Sequence, residues 1–439
     1  MTQVNQEDWG GKRVTVMGLG RFGGGLGVTR WLAKQGACVT VSDQASSEEL
    51  AESVAALQGL DITLRLGAHR EADIVNCDLL VVNPAVPFDS PYVSAARQAG
   101  VKLTTEANLF LALCPARIVG ITGSAGKSTT TAMAGAILAR QRPTHVGGNI
   151  GVSLLEKLED ITPDHAVVLE LSSFQLAYLP LLARSPQVAV VTNLHPNHID
   201  RHGTMAEYAK AKKNIFRFQG SEDVLILNRN DVRLASWQEE APGRVEFFGA
   251  EDRPFELELP GEHNQANAQA AWAAARQFGV SREAAAAALA RFAGLRHRLE
   301  LVCERQGVRY FDDSKSTAPA EAIAALKTFP ERTVIAIVGG YDKEVDLSEL
   351  CSVLAARAKA VVATGQTGER LAQGVEQLRQ ESRSPFVVRA FEFGEAVRAA
   401  RERAKGKDVV LLSPGCASFD QFRDYEQRGE AFVRLVSKS

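Results

Sequence analysis

The stretch Gly120-Ile-Thr-Gly-Ser-Ala-Gly-Lys-Ser-Thr-Thr combines small residues, one lysine and a run of hydroxyls at a spacing suited to gripping a polyphosphate. Small residues let successive backbone N–H groups turn toward one anion, and a following helix adds the partial positive charge of its N-terminus. Lys127 can then reach the β and γ phosphates, and Ser128 offers a hydroxyl to Mg²⁺. The match to GxxxxGK[ST] is loose at its start, Gly120 or Ile121. The stretch Gly123, Ser124, Ala125, Gly126, Lys127, Ser128 and Thr129 is tighter than the common phosphate loop.

A second glycine cluster, Gly18-Leu19-Gly20-Arg21-Phe22-Gly23, is followed about twenty residues on by Ser42-Asp43. Glycines admit a pyrophosphate, and an acid at that distance can meet a ribose hydroxyl. Gly24, Gly25 and Gly27 lengthen the loop, so a nucleoside diphosphate suits it as well as NAD, and a bare turn stays open. Glu170 in VVLELSSFQL and His198 in TNLHPNHIDRHGT each follow an apolar run. A carboxylate and a histidine there could hold a second Mg²⁺ facing the nucleotide. The segment Glu207 to Phe216 brings three lysines, Lys210, Lys212 and Lys213, and composition does not say which turns inward. Farther on, His297-Arg298, Asp312 to Thr317, Gly339 to Lys343 and Ser413 to Asp420 form polar loops beside apolar runs, read together as a substrate site rather than as scattered helix caps.

These side chains need strands to carry them. RVTVMGLG, ACVTVSD, DLLVVNP, RIVGITG, HAVVLELS, VAVVTNL, DVLILN, VRYFDDSK, RTVIAIVGG, AKAVVATG and DVVLLSPG alternate with Ala/Leu-rich stretches. Buried parallel strands have this composition, which predicts an α/β fold. Three blocks are expected, 1–105, 106–295 and 296–439. The chain has 439 residues, 45% hydrophobic and 23% charged, with 50 Lys+Arg against 52 Asp+Glu. That balance supplies no broad positive field for nucleic acid or anionic membrane. The six cysteines show neither CxxC nor Cys/His pairing, against a zinc site or a disulfide framework. The N-terminus lacks the basic patch and apolar run of a signal peptide, and no stretch reaches the ~18 apolar residues of a membrane span. A soluble cytoplasmic protein is expected.

In order, GITGSAGKST, LELSSFQL, HPNHIDRH, PGEHNQANAQAA, LRHRLE and DDSKST resemble the Mur ligase family of peptidoglycan synthesis over essentially the whole chain. HIDRHGTMAEYAKAK, GGYDKEVD and above all SPGCASFDQFRDYEQRG are similar to its D-glutamate-adding branch. Two departures stand out: the loop is GSAGKST where the family usually has GTNGKST, and the first glycine loop is about two residues longer.

The resemblance implies a three-domain architecture: a Rossmann-like N-terminal domain for a UDP sugar, a central phosphate-loop ATPase domain, and a Rossmann-like C-terminal domain for the amino acid. It implies that ATP phosphorylates the terminal carboxylate of UDP-N-acetylmuramoyl-L-alanine and that D-glutamate then attacks the acyl phosphate. Lys127 would hold the β and γ phosphates, with Ser128 on one Mg²⁺ and Glu170 and His198 on or beside a second. Matching YxxxK places a carbamylated lysine at Lys212, with Lys210 or Lys213 as fallback. Asn149 would contact the γ phosphate or substrate, Asn264 and Asn267 adenine, and Arg298 and Asp313 the phosphates and ribose of ATP. Gly18, Gly20, Gly23 and Asp43 would face the uridine nucleotide, and Lys315, Thr317, Lys343, Ser418 and Phe419 D-glutamate. The implied setting is the cytoplasm, in cell wall biogenesis, cell shape and cell division, and the expected form is a monomer. Rivals are a sibling ligase or a folylpolyglutamate synthase-like enzyme, a nicotinamide oxidoreductase built on the first glycine loop, and a nucleotide-switched binding protein.

Overall fold

The computed structural model describes residues 8–20, 23–87, 89–150, 153–249, 252–259, 261–378 and 385–437. Arg21 and Phe22 of the first glycine loop, Gly151 of GGNIG and Pro260 lie outside the described residues. Three sheets form in chain order. The first contains β1 (Arg13–Met17), β2 (Cys38–Ser42), β3 (Ile62–Arg65), β4 (Leu79–Val82) and β5 (Lys102–Thr104), all parallel in the order β3-β2-β1-β4-β5. The second contains β6 (Arg117–Thr122), β7 (Thr144–Gly148), β8 (Ala166–Glu170), β9 (Val188–Val191), β10 (Val224–Asn228) and β11 (Arg244–Phe248), parallel in the order β11-β10-β9-β6-β8-β7. The third contains β12 (Glu300–Arg305), β13 (Val308–Asp312), β14 (Val334–Gly339), β15 (Ala360–Thr364), β16 (Phe386–Arg389) and β17 (Val409–Leu412) in the order β12-β13-β17-β14-β15-β16. Only β12 there pairs antiparallel, with β13, among the described strands.

The chain divides into two compact units, Met1–Glu256 with Gln265–Ala290, and Leu257–Asn264 with Arg291–Ser439. The first unit holds the first two sheets over one continuous core. Val14, Val16 and Val41 belong to the same apolar cluster as Ile118, Val167, Ala189 and Leu225. Lys34 with Glu159 and Asn108 with the Tyr178 carbonyl tie the two sheets' surroundings together, at 2.7 and 2.8 Å. The second unit buries the third sheet between two apolar layers, one including Val334, Ala336, Val361 and Leu411, the other Ile335, Val362, Val410 and Phe432. Among the described residues no helix is long and apolar enough to cross a membrane.

A buried polar cluster pins the entrance to β12. His297 adopts a left-handed φ of 62°, its Nδ1 lies 2.7 Å from Asp312 Oδ2, and its backbone N–H donates to Glu300 at 2.8 Å. Three ligand-type side chains thus converge. Gly429 fills the remaining space, because a Cβ there would stand 2.2 Å from His297 Nδ1. The cluster is therefore a brace. Hydrogen bonding to Asp312 raises the His297 pKa against the opposing effect of burial. Its stabilisation is complete below the ordinary histidine value and fades as pH rises through the raised one. His297→Asn, chosen because Asn tolerates left-handed backbone, is expected to lower the melting temperature most near pH 5.5. The gap to wild type should narrow toward pH 8.5, and a gap that widens with pH would refute the assignment.

Candidate active site

Strand β6 delivers the phosphate-type loop into the start of the helix Lys127–Leu138. Two glycines are required there by space and by backbone. Gly123 has φ 153° and Gly126 φ 80°; an added Cβ would stand 1.8 Å from Thr192 Oγ1 at the first and 2.4 Å from Asn267 Oδ1 at the second. Lys127 curls back over the loop, its Nζ donating to the carbonyls of Gly123 and Ser124, both at 3.1 Å. Ser128 and Thr129 are buried in the helix's first turn, whose N–H groups have no intrahelical acceptor. The N–H groups of Ser124 and Ala125 are engaged differently: both donate to Asn193 Oδ1, at 3.1 and 2.8 Å.

Around this loop the second sheet gathers one anion and two nitrogen bases. Glu170, the last residue of β8, accepts from Asn149 Nδ2 at 2.9 Å through Oε1. Its Oε2 is buried and has no hydrogen-bond partner among the described residues. His198 sits in left-handed backbone (φ 55°) before the short helix Ile199–His202. Burial, reinforced by the charges of Lys127 and Lys212, pushes its pKa down to about 4, so the imidazole is neutral at physiological pH. Phe174 packs edge-on against His198, with ring centroids 5.0 Å apart, and stacks on His202 at 5.2 Å. His202 Nε2 in turn lies 2.9 Å from Ser173 Oγ.

The three lysines separate sharply by environment. They lie on the helix Met205–Arg217, started by Thr204, whose hydroxyl accepts from the Glu207 N–H. Lys212 is 1% exposed, donates to the Gly123 carbonyl at 2.9 Å and lies 3.3 Å from Thr122 Oγ1. Its ammonium position is 4.7 Å from the centre of the Tyr208 ring. Burial holds its pKa well below the ordinary lysine value; Lys127 pushes the same way and Glu170 opposes. Lys210 instead pairs on the surface with Glu207 at 3.2 Å, and Lys213 with Glu240 beside the Trp237 ring. Asn267 is buried against Thr130, 3.2 Å from its hydroxyl, in the first unit; Asn264, also buried, belongs to the second.

At the first glycine loop, Gly18, Gly20 and Gly23 all have positive φ. Asp43 holds this loop from its own side, accepting from the N–H groups of Leu19, Gly20 and Ala45 at 2.8, 3.1 and 2.9 Å. Asn83, which the sequence reading missed, donates to the Gly18 carbonyl at 3.1 Å. Its only signal was an Asn-Pro pair ending an apolar run.

In the second unit, Lys315 lies over the Tyr425 ring at 5.7 Å and Lys343 over Phe419 at 6.0 Å. Phe419 is exposed and Ser418 buried. The Thr317 N–H donates to Glu321, which also pairs with Arg298 at 3.1 Å. Asp313 accepts from the Leu299 N–H and the Ser413 hydroxyl, and burial raises its pKa to about 7. Arg428 was also missed. It is 2% exposed and spans Ser314, Cys416 and Ala417 with four hydrogen bonds of 2.9–3.1 Å, so it joins the loop after β13 to the loop after β17. Its position in the quoted SPGCASFDQFRDYEQRG motif was the available signal.

Fold and loop together define an α/β protein with a phosphate-type loop at the end of a central parallel strand. Residues 12–105 match the family described as "Mur ligase MurD-like, N-terminal domain", 121–254 "Mur ligase middle domain" and 297–416 "Mur ligase, glutamate ligase domain". The chain is 43% identical to a protein of Roseiflexus sp. (strain RS-1) and 40% identical to one of Symbiobacterium thermophilum. Each alignment covers 97% of this chain and 98% of the relative, and both relatives are named UDP-N-acetylmuramoylalanine--D-glutamate ligase. Among solved structures, a UDP-N-acetylmuramate-alanine ligase from Thermotoga maritima superposes with a TM-score of 0.64 at 21% identity, covering 98% of this chain and 100% of that one. The MurF ligase of Thermotoga maritima, solved with ADP, gives 0.62 at 18% identity over 100% of both chains. The chain belongs to the Mur ligase family, ATP-dependent amide ligases of peptidoglycan precursor synthesis.

Proposed function

We propose that this chain joins D-glutamate to UDP-N-acetylmuramoyl-L-alanine, cleaving ATP to ADP and phosphate. The observation that carries the ligase reading is the set of Lys127, Glu170, His198 and Lys212 drawn around one phosphate-type loop. The choice of amino acid rests on the names of the full-length relatives. The substrate carboxylate attacks the γ-phosphorus and ADP departs; the amine of D-glutamate then attacks the acyl carbon, phosphate departs and the amine loses a proton. Lys127 and the first-turn amides of Lys127–Leu138 offset the charge that would otherwise keep a carboxylate from a triphosphate.

Several features of the site fit Mg²⁺. Glu170 Oε2 is a buried carboxylate oxygen without a hydrogen-bond partner among the described residues, and His198 is neutral, the form in which imidazole ligates. Ser128 would hold one ion, and Glu170, His198 and a carbamate on Lys212 would lie on or beside a second. When bound, Mg²⁺ neutralises charge between the two reacting anions. The low pKa of Lys212 supports the carbamate, since only an unprotonated amine adds to carbon dioxide. In this reading Gly18, Gly20, Gly23 and Asp43 serve the UDP sugar within 1–105, and 106–295 carries ATP with Asn149 and Asn267. The segment 296–439 presents Lys315, Thr317, Lys343, Ser418 and Phe419 to D-glutamate. A cytoplasmic monomer completes the proposal.

The test is phosphate release with ATP, Mg²⁺ and UDP-N-acetylmuramoyl-L-alanine across D-glutamate, L-lysine and meso-diaminopimelate. Release should require D-glutamate and exceed that with either alternative by at least roughly a hundredfold, the scale set by leaving buried polar partners unmatched. Release with no amino acid present would favour a nucleotide switch, and preference for either other amino acid a sibling ligase.

A further inference from the structure

We infer that Asn193 is a positioning residue for the nucleotide, holding the phosphate loop in shape from the end of the neighbouring strand β9. The inference rests on the proposed ATP site but not on which amino acid is joined. Of the loop residues between Gly123 and Gly126, both carry N–H groups directed at Asn193 Oδ1, and Asn193 Nδ2 returns a bond to the Ala125 carbonyl at 3.0 Å. The Ser124 N–H is shared with the Asn193 carbonyl at 3.0 Å. One side chain thereby satisfies the donor and the acceptor of Ala125 at once.

The neighbours of Asn193 act on the same two residues. Thr192 Oγ1 donates to the Ala125 carbonyl at 2.6 Å. Ser124 Oγ donates to the His195 carbonyl, accepts from the His195 N–H and lies 3.0 Å from the Tyr208 hydroxyl. The segment from Thr192 to His195 therefore fixes the loop, and three residues later the same segment carries His198. Every one of the Asn193 bonds is to loop backbone, so the clamp does not depend on what side chain stands at 125.

The clamp also divides the labour of the loop. Ser124 and Ala125 N–H groups are committed to Asn193, so phosphate binding falls to the amides from Gly126 into the helix's first turn and to Lys127. A competing reading makes Asn193 a placeholder that phosphate oxygens displace. The two give opposite signs on mutation. Removing a clamp loosens the loop and weakens nucleotide binding; removing a competitor strengthens it.

Asn193→Ala should raise the dissociation constant for ADP and the KM for ATP by about tenfold, the scale of losing two to three backbone hydrogen bonds to an ordered loop. The KM for the UDP substrate should move less than about twofold, and the melting temperature should stay near wild type, a split that general destabilisation would not produce. Unchanged or tighter ADP binding overturns the inference. Absence of ADP binding to the wild-type chain sinks the ATP site itself, a distinguishable failure. Should Asn193→Ala not fold, hydrogen exchange in wild type decides. Ser124 and Ala125 amides protected without nucleotide, to within about tenfold of the ADP-bound level, support the clamp. Amides that become protected only with ADP, or not at all, refute it.

Discussion

Lys212→Ala should abolish ligation, with a fall of at least roughly a thousandfold, and a short carboxylate such as acetate or propionate should restore part of it. The size follows from losing a preorganised charge beside a developing one in a buried site. The rescue follows from the chemistry: a carbamate presents a carboxylate-like anion, which a small acid can replace in the space the lysine leaves. Lys212 is suited to this role because it is buried at 1% exposure, and that burial holds its pKa well below the ordinary lysine value. Neither Lys210 nor Lys213 shares that environment, as each is paired outward with a glutamate. Full activity of Lys212→Ala would remove the carbamate from the scheme. Lys212→Arg, cationic and unable to carry a carbamate, should stay inactive and resist rescue.

Glu170→Gln is expected to be the second most damaging change. Glutamine preserves the shape and leaves an oxygen for the Asn149 bond of 2.9 Å, but places an amide where Oε2 is now buried without a hydrogen-bond partner among the described residues. Activity should fall about a hundredfold or more, and the Mg²⁺ concentration for half-maximal rate should rise. ADP binding without Mg²⁺ should change little, because Lys127 and the helix amides are untouched. A variant with lower activity but an unshifted Mg²⁺ dependence would move Glu170 out of the metal shell. The loss of its negative charge also withdraws an influence that raises the Lys212 pKa.

What the sequence disclosed depends on where each strand sits. Eleven strands expected from apolar runs are the interior ones of the three sheets, β1, β2, β4, β6, β8, β9, β10, β13, β14, β15 and β17. The six that went unread, β3, β5, β7, β11, β12 and β16, are the six outer strands. An interior parallel strand is covered on both faces and is apolar throughout, as in Val409–Leu412; an outer strand such as Thr144–Gly148 is half exposed and carries His145 and two glycines. The candidate site was legible in its loop glycines, Lys127 and the acids that end or follow interior strands, while the inward lysine among Lys210, Lys212 and Lys213 was not legible from composition. The site was also illegible where a neutral amide does the holding. Asn83 and Asn193 act through backbone partners 65 to 69 residues away in sequence, and nothing local in their type announces that. Asp43 was legible as an acid after β2, while its bonds to the N–H groups of the loop were not.

The pairing of β7 with β8 has a further consequence for how this protein can change over generations. Gly148 lies opposite Glu170 in register, so Asn149 reaches the carboxylate only because β7 has the right number of residues before it. Deleting one residue between 144 and 148 would turn every following side chain to the other face of the sheet. Glu170 would then lose Asn149 although neither residue had mutated. Insertions or deletions in β7 therefore cost the site even where they leave its own residues unchanged. Length variation among descendants should therefore collect in the surface segments and leave the spacing from Thr144 to Asn149 untouched.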